Sequence, residues 1–337
     1  MESKTFKILS IDGGGIKGLY SASILASFEN KTGKNIADHF DMICGTSTGG
    51  LIAIGLANGI RAKDLVDLYV VNGSKIFPTS NSNLIRGFQN SYKSLRQIFF
   101  SNKHSVKPLK KILEDLFGDK TMNDATNLLC IPSFNLTNGQ PKVFKKSGNQ
   151  TEHFVDKTIK LVDIALATSA APSYYPIHEH NNFLYTDGGV WANNPSLCGL
   201  LEAIDYYVVG EGKEFDDFSI LSISSITTPN GWVSTANKSK SIIGWREKMF
   251  QTALDGQSYF TDYFLLKIVP KIIPKGKYFR IKSPELSKAQ INIITMDRAD
   301  RKTLSTIQSL GNQVGNTYAT KPEILQFFNS VKNYKNT

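Results

Sequence analysis

Two glycine-rich segments, each between a short apolar run and an apolar helical pattern, restrict the fold of this chain more than any other feature. The first apolar run, residues 6–12, is followed by the glycines of residues 13–18 and by a helical pattern from Leu19 to about Phe28. The second run, residues 40–44, is followed by Gly45-Thr46-Ser47-Thr48-Gly49 and then by an apolar helical segment. A strand, a sharp turn and a helix in repeated succession predict βαβ units and a parallel sheet.

Ser47 is the candidate nucleophile, because it occupies the central position of a G-x-S-x-G pentapeptide. A serine on such a strand-to-helix turn has its hydroxyl exposed at the N-terminus of the helix. The small residues Gly45 and Gly49 allow the strand and the helix to approach closely. The pentapeptide and its surroundings together predict a serine hydrolase.

The glycines at residues 13–15 offer backbone N–H groups that can bind an anion. An alternative is a dinucleotide site, because the spacing also satisfies G-x-G-x-x-G and Asp38 lies 20 residues after Gly18. That site needs an acidic residue at the end of the second strand, but here the second strand continues into the Ser47 turn. We therefore expect Gly13, Gly14 and Gly15 to face Ser47 and to bind the oxyanion of a tetrahedral intermediate.

The histidines do not supply an obvious base for Ser47. An α/β-hydrolase places its histidine towards the C-terminus, yet none occurs in the 157 residues from Asn181 to Thr337. We expect His178 and His180 to be ordinary surface residues. No metal site is expected, since no H-E-x-x-H is present and the three cysteines are not paired as C-x-x-C.

Asp187 is the better candidate for the base. It ends an aromatic, strand-like segment, residues 183–186, and precedes Gly188 and Gly189. A carboxylate held close to a serine hydroxyl and partly desolvated has its pKa raised towards the working pH. The alternative is a plain Asp-Gly turn, which the glycine-rich loop and the Ser47 turn make the weaker interpretation.

In these residues the chain resembles the patatin-like phospholipases, whose motifs are D-G-G-G-x-[KR]-G, G-x-S-x-G and D-G-[AG]. The three motifs stand in order at residues 12–18, 45–49 and 187–189, and the resemblance covers about residues 6–205. It implies a lipid acyl hydrolase with a Ser47–Asp187 dyad, and no metal or other cofactor. Lys17 matches the basic position of the family and is expected to help bind a lipid phosphate.

A narrower resemblance, to the bacterial patatin-like effectors of cyclic-oligonucleotide anti-phage signalling, rests on residues 8–20, 73–78 and 278–281. It implies a phospholipase that a cyclic di- or trinucleotide activates, and that then degrades the inner membrane. The expected effector-binding residues belong to a basic, aromatic-rich block, residues 232–282, and are Trp232, Arg246, Tyr278 and Arg280. Alternatives are an unregulated patatin-like esterase or a non-catalytic nucleotide-binding module.

The element order predicts an α/β fold, a three-layer α/β/α sandwich, with residues 6–205 as the catalytic core. Residues 206–337 are expected to be an α+β extension that completes the sheet and carries the regulatory region. A hairpin is predicted about Asn138-Gly139, helices at residues 160–171 and 194–208, and a strand at residues 218–224. We expect at least a homodimer, because interfaces provide bistable elements.

The charge distribution favours a membrane surface as partner. The net charge is +10, and residues 68–113 contain eight Lys or Arg and no acidic residue, with Phe77, Phe88, Tyr92, Phe99 and Phe100 also in the segment. Such a segment suits anionic phospholipids, whereas no motif for DNA or RNA accompanies it. With no signal-peptide pattern and no apolar run of 18 residues, we expect a cytoplasmic protein that binds the inner membrane peripherally when active.

Overall fold

The protein is described by a computed structural model that covers residues 4–77, 104–146, 154–208, 212–228, 242–272 and 275–334, with the backbone alone at residues 154–155, 242–247 and 272. One sheet of eight strands organises this part of the chain. The strands are β1 (Thr5–Ile11), β2 (Met42–Gly45), β3 (Leu128–Asn135), β4 (Gln140–Lys146), β5 (His178–His180), β6 (Phe183–Asp187), β7 (Asp217–Ile223) and β8 (Lys277–Ile281).

The strands follow the order β5-β6-β3-β2-β1-β7-β8, with β4 paired to β3. Pairing is parallel from β3 through β2, β1 and β7 to β8. It is antiparallel between β3 and β4, between β3 and β6, and between β5 and β6. Ile11 lies opposite Gly45, so β1 and β2 end at the same edge of the sheet. The glycine-rich loop and the Ser47 turn therefore start side by side.

Helices cover both faces of the sheet. They are α1 (Gly18–Thr32), α2 (Thr48–Ala57), α3 (Ala62–Ile76), α4 (Lys107–Phe117), α5 (Phe154–Lys157), α6 (Leu161–Thr168), α7 (Gly189–Ala192), α8 (Ser196–Tyr206), α9 (Ile242–Ile272), α10 (Lys288–Ile293), α11 (Arg301–Tyr318) and α12 (Pro322–Leu325). None of these helices is long and apolar enough to cross a membrane.

Strand β1 shows why the sheet needs two helical layers. Its successive side chains point to opposite faces and almost all are buried. Leu9 and Ile11 belong to a core shared with α1, α2, α3, α6 and α11, whereas Phe6 and Ile8 belong to a second core, shared with α8 and α9. The predicted α/β class is confirmed, with one layer of helices on each face.

The predicted elements agree with the structure except at helix ends. The hairpin about Asn138-Gly139 joins β3 and β4, with Gly139 at a φ of 66°. The helix predicted at residues 160–171 ends at Thr168, because Pro172 disfavours helical geometry just before it. The helix predicted at residues 194–208 begins at Ser196, after Pro195.

The C-terminal part of the chain contributes directly to the sheet. Strand β7 pairs with β1 along its whole length, from Thr5 opposite Asp217 to Ile11 opposite Ile223, and β8 forms the edge beyond it. The division into a core of residues 6–205 and an extension stays a prediction, but β7 lies inside the sheet and not on its periphery.

Candidate active site

Ser47 lies on a strained turn between β2 and α2. Its backbone has a φ of 55° and a ψ of −127°, a conformation that residues other than glycine rarely adopt. A Cβ atom at Gly45 or Gly49 would clash with backbone atoms of Gly49 or of Ile11. The Ser47 N–H donates to the hydroxyl of Thr168 at 3.0 Å, and that hydroxyl donates to the carbonyl of Pro132 at 2.6 Å. Neighbouring residues thus hold the strained serine in place.

Asp187 reaches Ser47 from the end of β6. Its carboxylate is almost fully buried, accepts the N–H of Gly189 at 2.7 Å and interacts with the side chain of Ser47. Burial raises the pKa of Asp187 to about 7, against the opposing effect of these two interactions. A carboxylate that titrates near neutral pH beside a serine hydroxyl can serve as its general base.

The glycine-rich loop also lies against Ser47, but one of the three expected N–H donors is already engaged. Gly13 lies against Ser47, since a Cβ built on it would be 3.1 Å from the Ser47 Cβ. However, the Gly13 N–H already donates to the carbonyl of Asn193 at 3.1 Å, so it cannot serve an oxyanion as expected. The N–H groups of Gly14 and Gly15 make no hydrogen bond within the described part of the chain. These two amides are therefore available as hydrogen-bond donors beside the Ser47 turn.

Arg280, expected to bind an effector, pairs with the residue that precedes the glycine-rich loop. Its guanidinium forms a two-pronged ion pair with Asp12, at 3.0 and 2.5 Å, and also donates to the Ser222 hydroxyl at 2.6 Å. Both charged side chains are nearly buried, with 7% and 2% exposed. Asp12 immediately precedes the glycines. The Arg280 side chain is therefore engaged in holding the loop.

Of the other three expected effector residues, the structure describes the side chain of Tyr278 alone. The Tyr278 hydroxyl donates to Asp262 at 3.2 Å, and the ring is partly buried. Trp232 and the side chain of Arg246 lie outside the described residues. The same holds for residues 78–103 of the first basic segment.

Lys17 is buried beside the loop and does not extend into solvent. Its ammonium group donates to the carbonyl of Ile226 at 2.8 Å, and burial lowers its pKa to about 8. Lys17 lines a polar cavity of about 420 Å³ between the glycine-rich loop and α9, together with Asp12, Gly14, Ser225, Tyr259, Arg280 and Lys282. Gly18 begins α1, and Gly188 and Gly189 lead into α7.

The sequence model of the patatin-like phospholipases matches residues 9–197, more than half of the chain. The protein belongs to the patatin-like phospholipase family. This family assignment agrees with the α/β sheet, the serine turn and the buried carboxylate described above. The enzyme is accordingly a serine hydrolase that acts on ester lipids.

Sequences of similar proteins align with this patatin-like chain over almost its whole length. A protein of Vibrio cholerae named cGAMP-activated phospholipase is 32% identical over 96% of this chain and 94% of its own length. One of Pseudomonas aeruginosa with the same name is 30% identical over 91% of this chain and 87% of its own. Patatin-like protein 1 of Arabidopsis thaliana is 28% identical over 91% of this chain and 80% of its own.

An apolar channel leads away from Ser47 in this patatin-like fold. Its walls come from α2, α3 and α4 and from the segment after α6, and include Leu51, Leu65, Phe77, Leu113, Tyr174 and Tyr175. Within the described residues its volume is only about 40 Å³. Sites for small molecules usually have about 300 to 1,000 Å³, so the channel is narrow in this structure.

Three features of the structure were not predicted from the sequence. Thr168 and Arg280 act through hydrogen bonds to residues far away in the chain, so no local pattern marks them. His178 and His180, expected on the surface, are half-buried and face the carboxylate of Asp163. Their H-x-H spacing in a strand was an available signal, because alternate residues of a strand point to the same face.

Proposed function

We propose that this protein cleaves acyl esters of membrane phospholipids with a dyad of Ser47 and Asp187. The observation that carries the proposal is the interaction of the strained Ser47 with a buried carboxylate whose pKa is raised to about 7. Membership of the patatin-like phospholipase family supports the lipid substrate. Chemistry and geometry together support the catalytic roles of these two residues.

The reaction runs in two steps. The Ser47 hydroxyl attacks the ester carbonyl while Asp187 takes its proton, and the N–H groups of Gly14 and Gly15 bind the negative oxygen that forms. Asp187 returns the proton to the departing alcohol, a lysophospholipid, which leaves an acyl ester on Ser47. Water then attacks this ester while Asp187 takes its proton. Asp187 passes that proton to the Ser47 oxygen as the fatty acid leaves, which restores the enzyme.

The activity should depend on the ionisation of Asp187. Because the base must be unprotonated, kcat/KM is expected to rise about tenfold per pH unit below pH 7 and to level off above it, given a pKa of about 7. The measurement is hydrolysis of a short-chain fluorogenic ester from pH 5 to 9. A profile that is flat from pH 5 to 8 would exclude Asp187 as the base.

The same pKa predicts the opposite trend for stability. Between the unfolded pKa of about 4 and the folded pKa of about 7, the folded state holds a proton that the unfolded state has released. The free energy of unfolding therefore falls as the pH rises through this range. The free energy of unfolding of an Asp187→Asn variant should not fall in this way. Measured by urea unfolding, the stability of the variant relative to wild type should therefore rise by up to about 3 kcal/mol between pH 5 and pH 8.

We further propose that a cyclic di- or trinucleotide activates the enzyme. Two near-full-length relatives are named cGAMP-activated phospholipases, and the channel beside Ser47 is too small for a fatty acyl chain until it opens. A ligand that binds the open arrangement better than the closed one would raise the activity. The polar cavity of about 420 Å³ has the size for such a ligand, and it adjoins the glycine-rich loop.

Contact with the membrane is proposed at α9. Several of its apolar side chains are exposed, namely Met249, Tyr259, Phe260, Tyr263 and Leu266. Lys267 and Lys271 lie on the same helix, and cations beside exposed aromatic rings suit an anionic bilayer surface. Peripheral binding to the inner membrane, phospholipid degradation during anti-phage defence, and assembly into at least a homodimer complete the proposal.

The decisive experiment for regulation is hydrolysis of a phospholipid substrate in vesicles containing anionic lipid, with and without a panel of cyclic di- and trinucleotides that includes cGAMP. We expect at least about a tenfold rise in rate with one of them, and none in a Ser47→Ala control. High activity without any nucleotide, unchanged by the whole panel, would contradict the regulatory proposal while leaving the hydrolase intact.

A further inference from the structure

Two histidines and an aspartate form a cluster away from the serine. His178 and His180 are alternate residues of β5, so their rings lie on the same side of the strand. Both face Asp163 in the first turn of α6. The His178 Nε2 lies 3.3 Å from one carboxylate oxygen of Asp163, and the His180 Nδ1 lies 3.4 Å from the other.

Ordinary hydrogen bonding explains this arrangement poorly. Hydrogen bonds between a charged nitrogen and a carboxylate oxygen are about 2.7 to 2.9 Å long, whereas both separations here are 3.3 Å or more. The His178 Nε2, which faces the Asp163 carboxylate, is buried and makes no hydrogen bond of normal geometry among the described residues. Both rings are nonetheless held against one carboxylate, with 15% and 19% of their side chains exposed.

The separations fit coordination to a metal. Zinc bonds of about 2.0 to 2.1 Å at tetrahedral angles place neighbouring ligand atoms about 3.3 Å apart. One ligand atom from each of the three side chains can be chosen so that all lie within 4.8 Å of one another. Two imidazoles and a carboxylate are also a ligand set that zinc favours.

We propose that Asp163, His178 and His180 bind one divalent transition-metal ion, for which Zn²⁺ is the best match. Three protein ligands leave the fourth tetrahedral position to water. This site differs from the expectation of no metal, which rested on the absence of H-E-x-x-H and paired cysteines. It is independent of the proposed hydrolase reaction, in which no metal takes part.

The position of the cluster indicates a structural role. Helix α6 ends at Thr168, which binds the backbone of Ser47, and β5 pairs with β6, which ends at Asp187. A metal bound between α6 and β5 would link the element that supports the nucleophile to the hairpin that carries the base. The ion would stabilise both without contact to the substrate.

Metal binding can be measured on the full chain without an activity assay. After removal of metals with a chelator and dialysis against Zn²⁺, we expect about one zinc per chain by elemental analysis. Co²⁺ in place of Zn²⁺ should give the intense visible absorption of a tetrahedral site. A chain that retains far less than one zinc, or a weak octahedral cobalt spectrum, would overturn the proposal.

Variants test the assignment of the ligands. His178→Asn and, separately, Asp163→Asn should each weaken zinc binding at least about tenfold and abolish the rise in Tm that zinc gives wild type. The matched control is His104→Asn, because the His104 Nε2 also lies 3.3 Å from a carboxylate oxygen, that of Asp297, but without a second imidazole. Circular dichroism identifies variants that fold. Equal zinc affinity in wild type and in a folded ligand variant would contradict the site.

Discussion

A Ser47→Ala variant is expected to lose at least about 10⁴-fold in kcat/KM towards a short-chain ester, because the attacking oxygen is absent. The Asp187→Asn variant should show a loss of the same order, since an amide cannot take the proton. Because the two groups act as a unit, the double variant should be little worse than either single one. The measurement is steady-state hydrolysis at pH 8 at equal protein concentrations. The folding of each variant is checked by circular dichroism and its identity by mass spectrometry.

The chain offers a matched control for the serine. Ser21 in α1 is also fully buried, and its hydroxyl has no hydrogen-bond partner among the described residues. A Ser21→Ala variant should keep wild-type activity, because this hydroxyl makes no hydrogen bond that the variant would lose. If Ser47→Ala kept more than about one per cent of the wild-type rate, Ser47 would not be the nucleophile.

Truncation of Arg280 should have the second-largest effect. An Arg280→Ala variant leaves the buried Asp12 without its partner, which is expected to cost about 3 to 5 kcal/mol of stability. The glycine-rich loop would then lose its anchor, and a displacement of about 1 Å can lower kcat about 10²-fold. Unfolding in urea and steady-state kinetics, both at a temperature where the variant is folded, measure the two effects.

Lys4 provides the control for Arg280. It also pairs with a carboxylate, that of Glu214 at 3.6 Å, but both side chains are 56% exposed. Lys4→Ala should therefore cost less than about 1 kcal/mol of stability and leave kcat unchanged.

The kinetic pattern separates a positioning role from a purely structural one. If Arg280 positions the oxyanion donors, kcat should fall while KM changes little, and Arg280→Lys should recover only part of the rate because an ammonium group lacks the planar, two-pronged geometry. A folded Arg280→Ala variant with the wild-type kcat would refute that role.

The fold was predictable from local sequence patterns because the signals are strong and short. Glycine turns after apolar strands identified the parallel units around Ser47, and Asn138-Gly139 identified the hairpin. The family assignment follows from the same residues. The roles of Ser47 and Asp187 stay predictions, although the structure brings the two side chains together.

The supports of the site were not predictable, since they depend on partners far apart in the chain. Asp12 and Arg280 are 268 residues apart, and Ser47 is 121 residues from Thr168. The use of the Gly13 N–H by Asn193 likewise depends on how α7 docks on the loop. Helix ends also shifted, at Thr168 and Ser196, because prolines and capping decide them.

The most direct test of the central claim is covalent labelling with a small fluorophosphonate ester. A nucleophilic serine displaces its fluoride and keeps the phosphonyl group, so the modified residue can be mapped by peptide mass spectrometry. In the presence of cGAMP, one adduct per chain is predicted on the peptide that contains Ser47, and it should form at least about 10²-fold more slowly in Asp187→Asn. A wild-type adduct on a different residue, or equal labelling rates in the two proteins, would contradict the account.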